Sequence, residues 1–425
     1  MKLRRVVVTG MGVVSPLGRG VKHNWESILA GKSGIRQIQG IDLKDIPVTI
    51  AGQVPFGENE PEFNPDTVIA PKDQKKNDKF ILFGMAAAQD ALEDAGWNVE
   101  TATEEEKYRA GVMMGAGIGG LQGIYDSAIS FNEFGMKKIS PFFIPSVLIN
   151  LISGNVSIKF GLKGPNHACV TACSTGTHAI GDAANMIARG DADLMVAGGA
   201  ESAVNVLGLS GFARMKAITA EFNDTPEKAS RPWDKGRSGF VMGEGSGALV
   251  LEELEHAKKR GAKIYCELVG YGLSCDAYDM VAPSPDGEGA ARAMQNALND
   301  AQIQPTDVDY INTHGTSTHV GDIAEIKGIE KVFGDYATNG LAISSTKSMH
   351  GHLLGAAAGV EAVASILAMQ ENIIPPTINL DNVDEEIPAG MNLVPHKAQE
   401  AELNVIMSNS FGFGGHNACL IFKKI

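Results

Sequence analysis

Short apolar runs alternate with helix-length segments along the whole chain, and this alternation restricts the fold more than any other feature. Runs read as strands at 3–8, 110–114, 168–172, 193–197 and 247–252, and again at 264–270, 308–312, 341–345, 404–409 and 417–423. Between them, apolar spacing predicts helices near 79–95, 146–160 and 174–189, then near 287–301, 322–333 and 353–370. Such alternation buries a largely parallel sheet under helices, so the expected class is α/β. At 425 residues the chain can bury a large core. Its halves echo each other. TACSTGTHAIGDAANMIA in one resembles SSTKSMHGHLLGAAAGVEAVASILA in the other: a short strand, a small-residue turn, then an Ala-rich helix. The echo predicts a duplication, with halves at 1–260 and 261–425 and both turns at one central site.

Charge and cysteine content narrow the function. A formal net charge of −14 argues against nucleic acid as a partner. No apolar run approaches the roughly 20 residues that span a bilayer, so no membrane segment is expected. The start, MKLRRVVVTGMGVVSPLG, is broken by Gly10 and Gly12 and reads as a first strand and turn rather than a leader. Five cysteines, with no C-x-x-C pair, fit free thiols in a reducing, cytoplasmic setting. Positive charge is grouped at Lys72, Lys75, Lys76 and Lys79, and at Lys137 and Lys138. These are either a solvated helix face or a landing site for an acidic partner.

Cys173 stands out. It follows the run HACVTA and precedes the helix carrying Ile180, Ala183, Ala184 and Ile187, with Gly190 as its stop. Unpaired N–H groups at a helix start favour negative charge, and a thiol there can titrate below its ordinary value of about 8.5. A buried core cysteine is the plainer alternative. Three further segments, THGTST (313–318), KSMHGHLLGA (347–356) and NSFGFGG (409–415), each lie beyond a predicted strand. Sites in α/β sheets form outside the carboxyl ends of strands. Cys173, His314, Lys347, His352 and the Phe-Gly loop are therefore expected to converge on a Cys/His acyl-transfer site. Two other motifs fit poorly. GAGIGG (115–120) matches a dinucleotide fingerprint but has no clear second strand behind it, and SSTK (344–347) has no K-T-G partner.

Together, VVVTGMGVVSPLG, RPWDKGRSGFVMGEG, TACSTG, THGTST, SSTKSMHGHLLGAA and NSFGFGG resemble, in order and from end to end, the elongating β-ketoacyl-[acyl-carrier-protein] synthases, most nearly the synthase II type. The resemblance implies a thiolase fold, with duplicated βαβ halves stacked as a five-layered α-β-α-β-α sandwich. It implies decarboxylative condensation of an acyl-Cys173 enzyme with a malonyl carrier protein to give a 3-oxoacyl product in fatty-acid elongation. By the same resemblance, the N–H groups of Cys173 and Phe413 form the oxyanion hole. His314 and His352 bind the malonyl thioester, and Lys347 supports them. Thr316 and Thr318 hold the pantetheine arm. Ile118 and Phe212 line the acyl pocket, and Phe413, between Gly412 and Gly414, is its gate. Lys72, Lys75, Lys76, Lys137, Lys138, Arg214 and Lys216 match the surface that docks the acidic acyl- or malonyl-loaded carrier. A homodimer is implied, with PFFIP (141–145) near the partner's pocket. No resident cofactor is implied, since phosphopantetheine arrives on the carrier.

Rival readings differ in what they require. A polyketide-type or synthase I-type enzyme would share the chemistry with another acyl preference. A thiolase would need a second reactive cysteine, and an initiating synthase an Asn where His352 stands. A non-catalytic chain-length partner would lack the nucleophile. Three histidines depart from the family's pattern: His319, His350 and His416 stand where Pro or Thr is usual. Drift is the plain explanation and a shared transition-metal site the sharper one; no metal is expected.

Overall fold

The computed structural model describes residues 3–425. Its principal strands are β1 Val6–Ser15, β2 Ala110–Gly115, β3 Asn166–His167, β4 Leu194–Glu201 and β5 Gly245–Glu253. They continue with β6 Cys266–Cys275, β7 Tyr310–Asn312, β8 Ala342–Ser344, β9 Val405–Gly412 and β10 His416–Lys423. Its principal helices are α1 Lys79–Asp94, α2 Leu121–Phe134, α3 Leu151–Phe160 and α4 Thr175–Arg189. After them come α5 Val206–Arg214, α6 Glu288–Ala301, α7 His319–Phe333 and α8 Ala357–Glu371.

The strands join in one sheet, eleven-stranded with the short Gly18–Arg19 strand on β1, in the order β8-β7-β9-β10-β6-β1-β5-β4-β2-β3. Its two arms repeat one design. From the middle outward, β1-β5-β4 is antiparallel and β4-β2-β3 parallel. Likewise β6-β10-β9 is antiparallel and β9-β7-β8 parallel. Within the sheet, among the described residues, the arms are joined by Val7 opposite Glu267 and Val8 opposite Cys266.

Helices α1 and α3 cover the outer face of the first arm, α6 and α7 that of the second, and α4 and α8 lie between the arms. This is the expected α-β-α-β-α stack. Side-chain alternation along the strands feeds three cores. Leu249 and Leu251 of β5 point into the central core while Val250 joins the outer one. Leu420 and Phe422 of β10 point inward and Ile421 outward. Strands buried on both faces read as unbroken apolar runs, which is why they were legible. The middle layer is thin: a Cβ on Gly359 of α8 would sit 2.2 Å from the Gly247 carbonyl oxygen of β5.

The expected strand at 168–172 is not one. Only Asn166–His167 pairs with β2, because the Thr171 N–H turns to the Thr175 hydroxyl (2.9 Å) instead of a neighbouring strand. The helix expected over 146–160 breaks after Val147, whose carbonyl accepts the Gly120 N–H (3.3 Å). α2 and α5 were not anticipated. α2 follows GAGIGG and has no fully buried residue, so no apolar stripe marked it. The helix expected from 353 starts at Ala357, after a tight turn.

Candidate active site

The site is built from two copies of one turn. Past β3, Ala172 adopts the left-handed region (φ 50°), and Cys173 follows in the 3-10 turn Ala172–Ser174 that leads into α4. In the other arm Leu354 takes φ 51° in the turn Leu354–Ala356 that leads into α8. The two turns pack together in the middle layer. Register by φ matches Cys173 with Gly355. There a Cβ would lie 2.3 Å from the Gly117 nitrogen, so no side chain fits. The Ser174 hydroxyl donates to the carbonyls of Ser410 (3.0 Å) and His416 (2.7 Å), pinning the nucleophile turn to β9 and β10.

His352 reaches the sulfur. Its backbone N–H donates to the Val241 carbonyl (2.8 Å), and its ring Nε2 lies 3.0 Å from Cys173 Sγ. Its ring stands edge-on to His314, centroids 5.2 Å apart at 90°, and to Phe240 at 5.3 Å. His314 follows β7. The N–H groups of His314 (2.9 Å) and Gly315 (2.8 Å) donate to the Glu325 carboxylate. One side-chain atom each from Cys173, His314 and His352 falls within 4.8 Å of the others.

Lys347 stands behind this trio. It is fully buried and ion-paired to buried Glu361. Its charge lowers the proton affinity of Cys173, His314 and His352. Burial acts first, however. It drives both imidazoles well below their usual 6.5, so they are neutral near pH 7. It also pushes the Cys173 thiol up to about 12, against Lys347 and the N–H groups of Phe413 and Cys173 itself. A helix start is expected to lower a thiol, but here desolvation in a closed pocket outweighs the local N–H groups and the resting sulfur stays protonated near pH 7.

One cavity of about 640 Å³ opens onto the trio, and Ile118, Phe212, Thr316, Thr318, Lys216 and Phe413 all line it. The Thr316 and Thr318 hydroxyls are 3.0 Å apart. The Phe413 ring lies 6.3 Å from that of Phe212. Of the glycines beside Phe413, Gly414 needs its freedom (φ 83°). Gly412 is instead required by crowding, since a Cβ would sit 2.8 Å from the Thr171 carbonyl oxygen.

Among the basic residues, Lys72, Lys75, Lys137, Lys138, Arg214 and Lys216 are exposed. Lys76 is part-buried, pairs with Asp73 (2.5 Å) and lies 5.0 Å from the Phe142 ring centroid, which ties that segment to PFFIP. The three unusual histidines do not form a common site. His350 is buried against the Gly351 carbonyl (2.8 Å). His319 is at the cavity mouth, 2.9 Å from Arg237 Nη2. His416 is exposed beside Gly414. The N–H groups of GAGIGG are not free for a phosphate either, because the Glu201 carboxylate accepts those of Gly117, Ile118 and Gly119.

Sequence reading missed Glu201, Glu325 and Glu361. Glu361 left a trace as the one charge inside AAAGVEAVASILA. Glu325 sits among ordinary helix charges and left none.

Residues 3–257 match the "Beta-ketoacyl synthase, N-terminal domain" and residues 265–381 the "Beta-ketoacyl synthase, C-terminal domain". The 3-oxoacyl-[acyl-carrier-protein] synthase 2 of Rhizobium meliloti is 54% identical over 99% of both chains. That of Vibrio harveyi is 51% identical over 100% of both. Among solved structures, a β-ketoacyl synthase from Burkholderia phymatum superposes with TM-score 0.90 at 34% identity, covering 99% of this chain and 100% of that one. A ketosynthase in complex with its type II PKS acyl-carrier protein, bound to the hexaketide, superposes with TM-score 0.89 at 32% identity over 100% of both. Full-length similarity of this order, on a fold that brings one cysteine and two histidines together, establishes that the chain belongs to the β-ketoacyl synthase family.

Proposed function

We propose that the chain is an elongating 3-oxoacyl-[acyl-carrier-protein] synthase of type 2 that runs in two stages on one cavity. The Cys173 sulfur attacks the thioester of an acyl carrier protein. The oxyanion that forms is held by the N–H groups of Cys173 and Phe413, each such donor being worth about 3–4 kcal/mol of barrier. The Cys173 proton passes through His352 Nε2, 3.0 Å from Sγ, to the departing sulfur, so carrier thiol leaves and acyl-Cys173 remains. Malonyl carrier protein then enters, with Thr316 and Thr318 along its pantetheine arm. His314 and His352 hold the malonyl thioester oxygen. As neutral donors they stabilise the enolate left by departing carbon dioxide without trapping it as an ion pair. The carbanion attacks acyl-Cys173 and releases a 3-oxoacyl carrier protein two carbons longer. Decarboxylation supplies the driving force, so the reading needs no resident metal, nucleotide or redox group. Lys347 lies outside the cavity and acts through the field it sets on the three reacting side chains.

The observation that carries the proposal is the 3.0 Å approach of His352 Nε2 to Cys173 Sγ, with His314 beside it over one cavity. A non-catalytic chain-length partner has no use for that contact. Relatives at 51–54% identity are named synthase 2, against 32% for the PKS ketosynthase, which favours fatty-acid elongation over polyketide assembly.

The carrier docks over Lys72, Lys75, Lys76, Lys137, Lys138, Arg214 and Lys216. Two copies pair through the face bearing exposed Phe142, Ile144 and Leu148 and the edge strand β3. The chain is cytoplasmic; no helix among the described residues is long and apolar enough to cross a membrane. Residues 1–260 and 261–425 are its duplicated halves.

Product analysis with defined acyl carrier proteins and malonyl carrier protein tests the proposal. Wild type yields 3-oxoacyl products two carbons longer than each accepted primer, and Cys173→Ala yields none. Condensation by the alanine variant, or label from a thiol reagent on another cysteine with Cys173 untouched, refutes it.

A further inference from the structure

Glu201 ends β4 with a fully buried carboxylate and no ion-pair partner among the described residues. Four backbone N–H groups replace that partner. Gly117 (2.7 Å) and Gly355 (3.1 Å) donate to Oε2, and Ile118 (3.2 Å) and Gly119 (3.0 Å) to Oε1. The donors come from two places: the loop after β2 and the second copy of the nucleophile turn. Gly117 also lies against the nucleophile turn itself, where a Cβ would be 3.1 Å from the Ala172 carbonyl oxygen. One carboxylate therefore binds loop Gly117–Gly119 to the second turn, and the loop in turn lies against the nucleophile turn.

Ile118 is the side chain that this loop delivers. It lines the cavity and packs in a cluster with Cys173, Leu354 and Phe240. Its backbone N–H has no other acceptor than Glu201. Three consecutive N–H groups on one anion fix a loop more tightly than apolar contact can, since each carries charge assistance. We infer that Glu201 is a positioning residue for acyl-chain selectivity: it holds Ile118 at the wall of the acyl pocket. The inference rests on the proposed condensing function.

Glu201→Gln separates this role from plain stabilisation. The amide keeps the shape and one acceptor, but its NH₂ opposes two of the four N–H donors. The loop loosens and Ile118 moves. Condensation is measured over a series of acyl primers, beside decarboxylation of malonyl carrier protein without primer. The expected result is a skewed length profile, with kcat/KM for long primers changed about tenfold relative to short ones, and primer-free decarboxylation little changed. Ile118→Ala completes a double-mutant cycle. If Glu201 acts through Ile118, Glu201→Gln adds no further length dependence in that background. Gly119→Ala disturbs the loop from its other side. Its φ is 80° and a Cβ would lie 2.6 Å from Ile149 Cγ1, so it skews the same profile with the carboxylate intact, and it stands in should Glu201→Gln fail to fold.

An unshifted profile in whichever of these variants folds overturns the inference. So does an equal loss at every length accompanied by lost decarboxylation, or additivity with Ile118→Ala. In those cases wild-type condensation leaves the proposed function standing. A wild type that condenses no primer overturns both.

Discussion

Replacing Lys347 by methionine removes one positive charge and keeps most of the side-chain volume. Nζ is buried, pairs with Glu361, and does not line the cavity. The other Glu361 oxygen is buried without a hydrogen-bond partner, so the carboxylate depends on Lys347. Burial already holds Glu361 up at about 7, with Lys347 the main force pulling it down. Breaking one side of a buried pair costs about 3–5 kcal/mol, while neutralising both sides together is often nearly free. Lys347→Met and Glu361→Gln should therefore each lose about 3–5 kcal/mol in urea unfolding at pH 7, and the double variant should recover most of it. Activity should not recover. Without the cation the thiol moves further up and both imidazoles move up, so condensation should fall about a hundredfold or more in Lys347→Met and in the double variant alike. Unfolding curves for the four proteins, with carrier-protein condensation rates, make the assay. Single variants within 1 kcal/mol of wild type, a double variant as unstable as the two singles added, or restored condensation in the double variant would each refute this reasoning.

Alkylation of Cys173, followed by mass spectrometry of its peptide, should speed up with each pH unit to beyond about pH 9, as a buried thiol near 12 requires; a plateau near pH 7 would mean a resting thiolate. Glu244 is buried and held up at about 7 from an ordinary 4.5. Because its folded value exceeds its unfolded one, its stabilising share is whole below about pH 4.5 and is lost as pH rises through about 7, by about 3 kcal/mol in all. Glu244→Gln should flatten that part of the stability–pH curve, and an unchanged slope would count against the assignment. Charge reversal at Arg214 and Lys138, both exposed and outside the cavity lining, should raise the KM for carrier protein at low salt and weaken its salt dependence, with hydrolysis or transfer from small thioesters unchanged; an unaltered salt dependence would remove both residues from the docking surface.

Much of the fold was legible because its strands are buried on both faces and announce themselves as apolar runs. Runs such as ALVLEE in β5 and CLIFK in β10 have no other plausible home. Cys173, His314 and His352 were legible because each sits just past such a run, where an α/β sheet exposes backbone. What failed was set by distance rather than pattern. The residues before Cys173 look extended but leave the sheet for hydroxyl contacts with α4. The charge on the sulfur depends on how completely the pocket closes, which no local motif encodes. Glu201 ends an ordinary strand sequence, LMVAGGAE, and its four donors come from positions more than eighty residues before it and 154 after it.

The matched φ values at Ala172 and Leu354 carry one last consequence. A backbone bend that recurs in both arms also recreates the niche beside it, yet only one niche here holds a reactive atom. At Gly355 the sister niche has been filled by its neighbour's main chain. A sulfur transplanted to that spot would have nowhere to stand, so the enzyme's asymmetry is steric and cannot be reversed by exchanging the two residues.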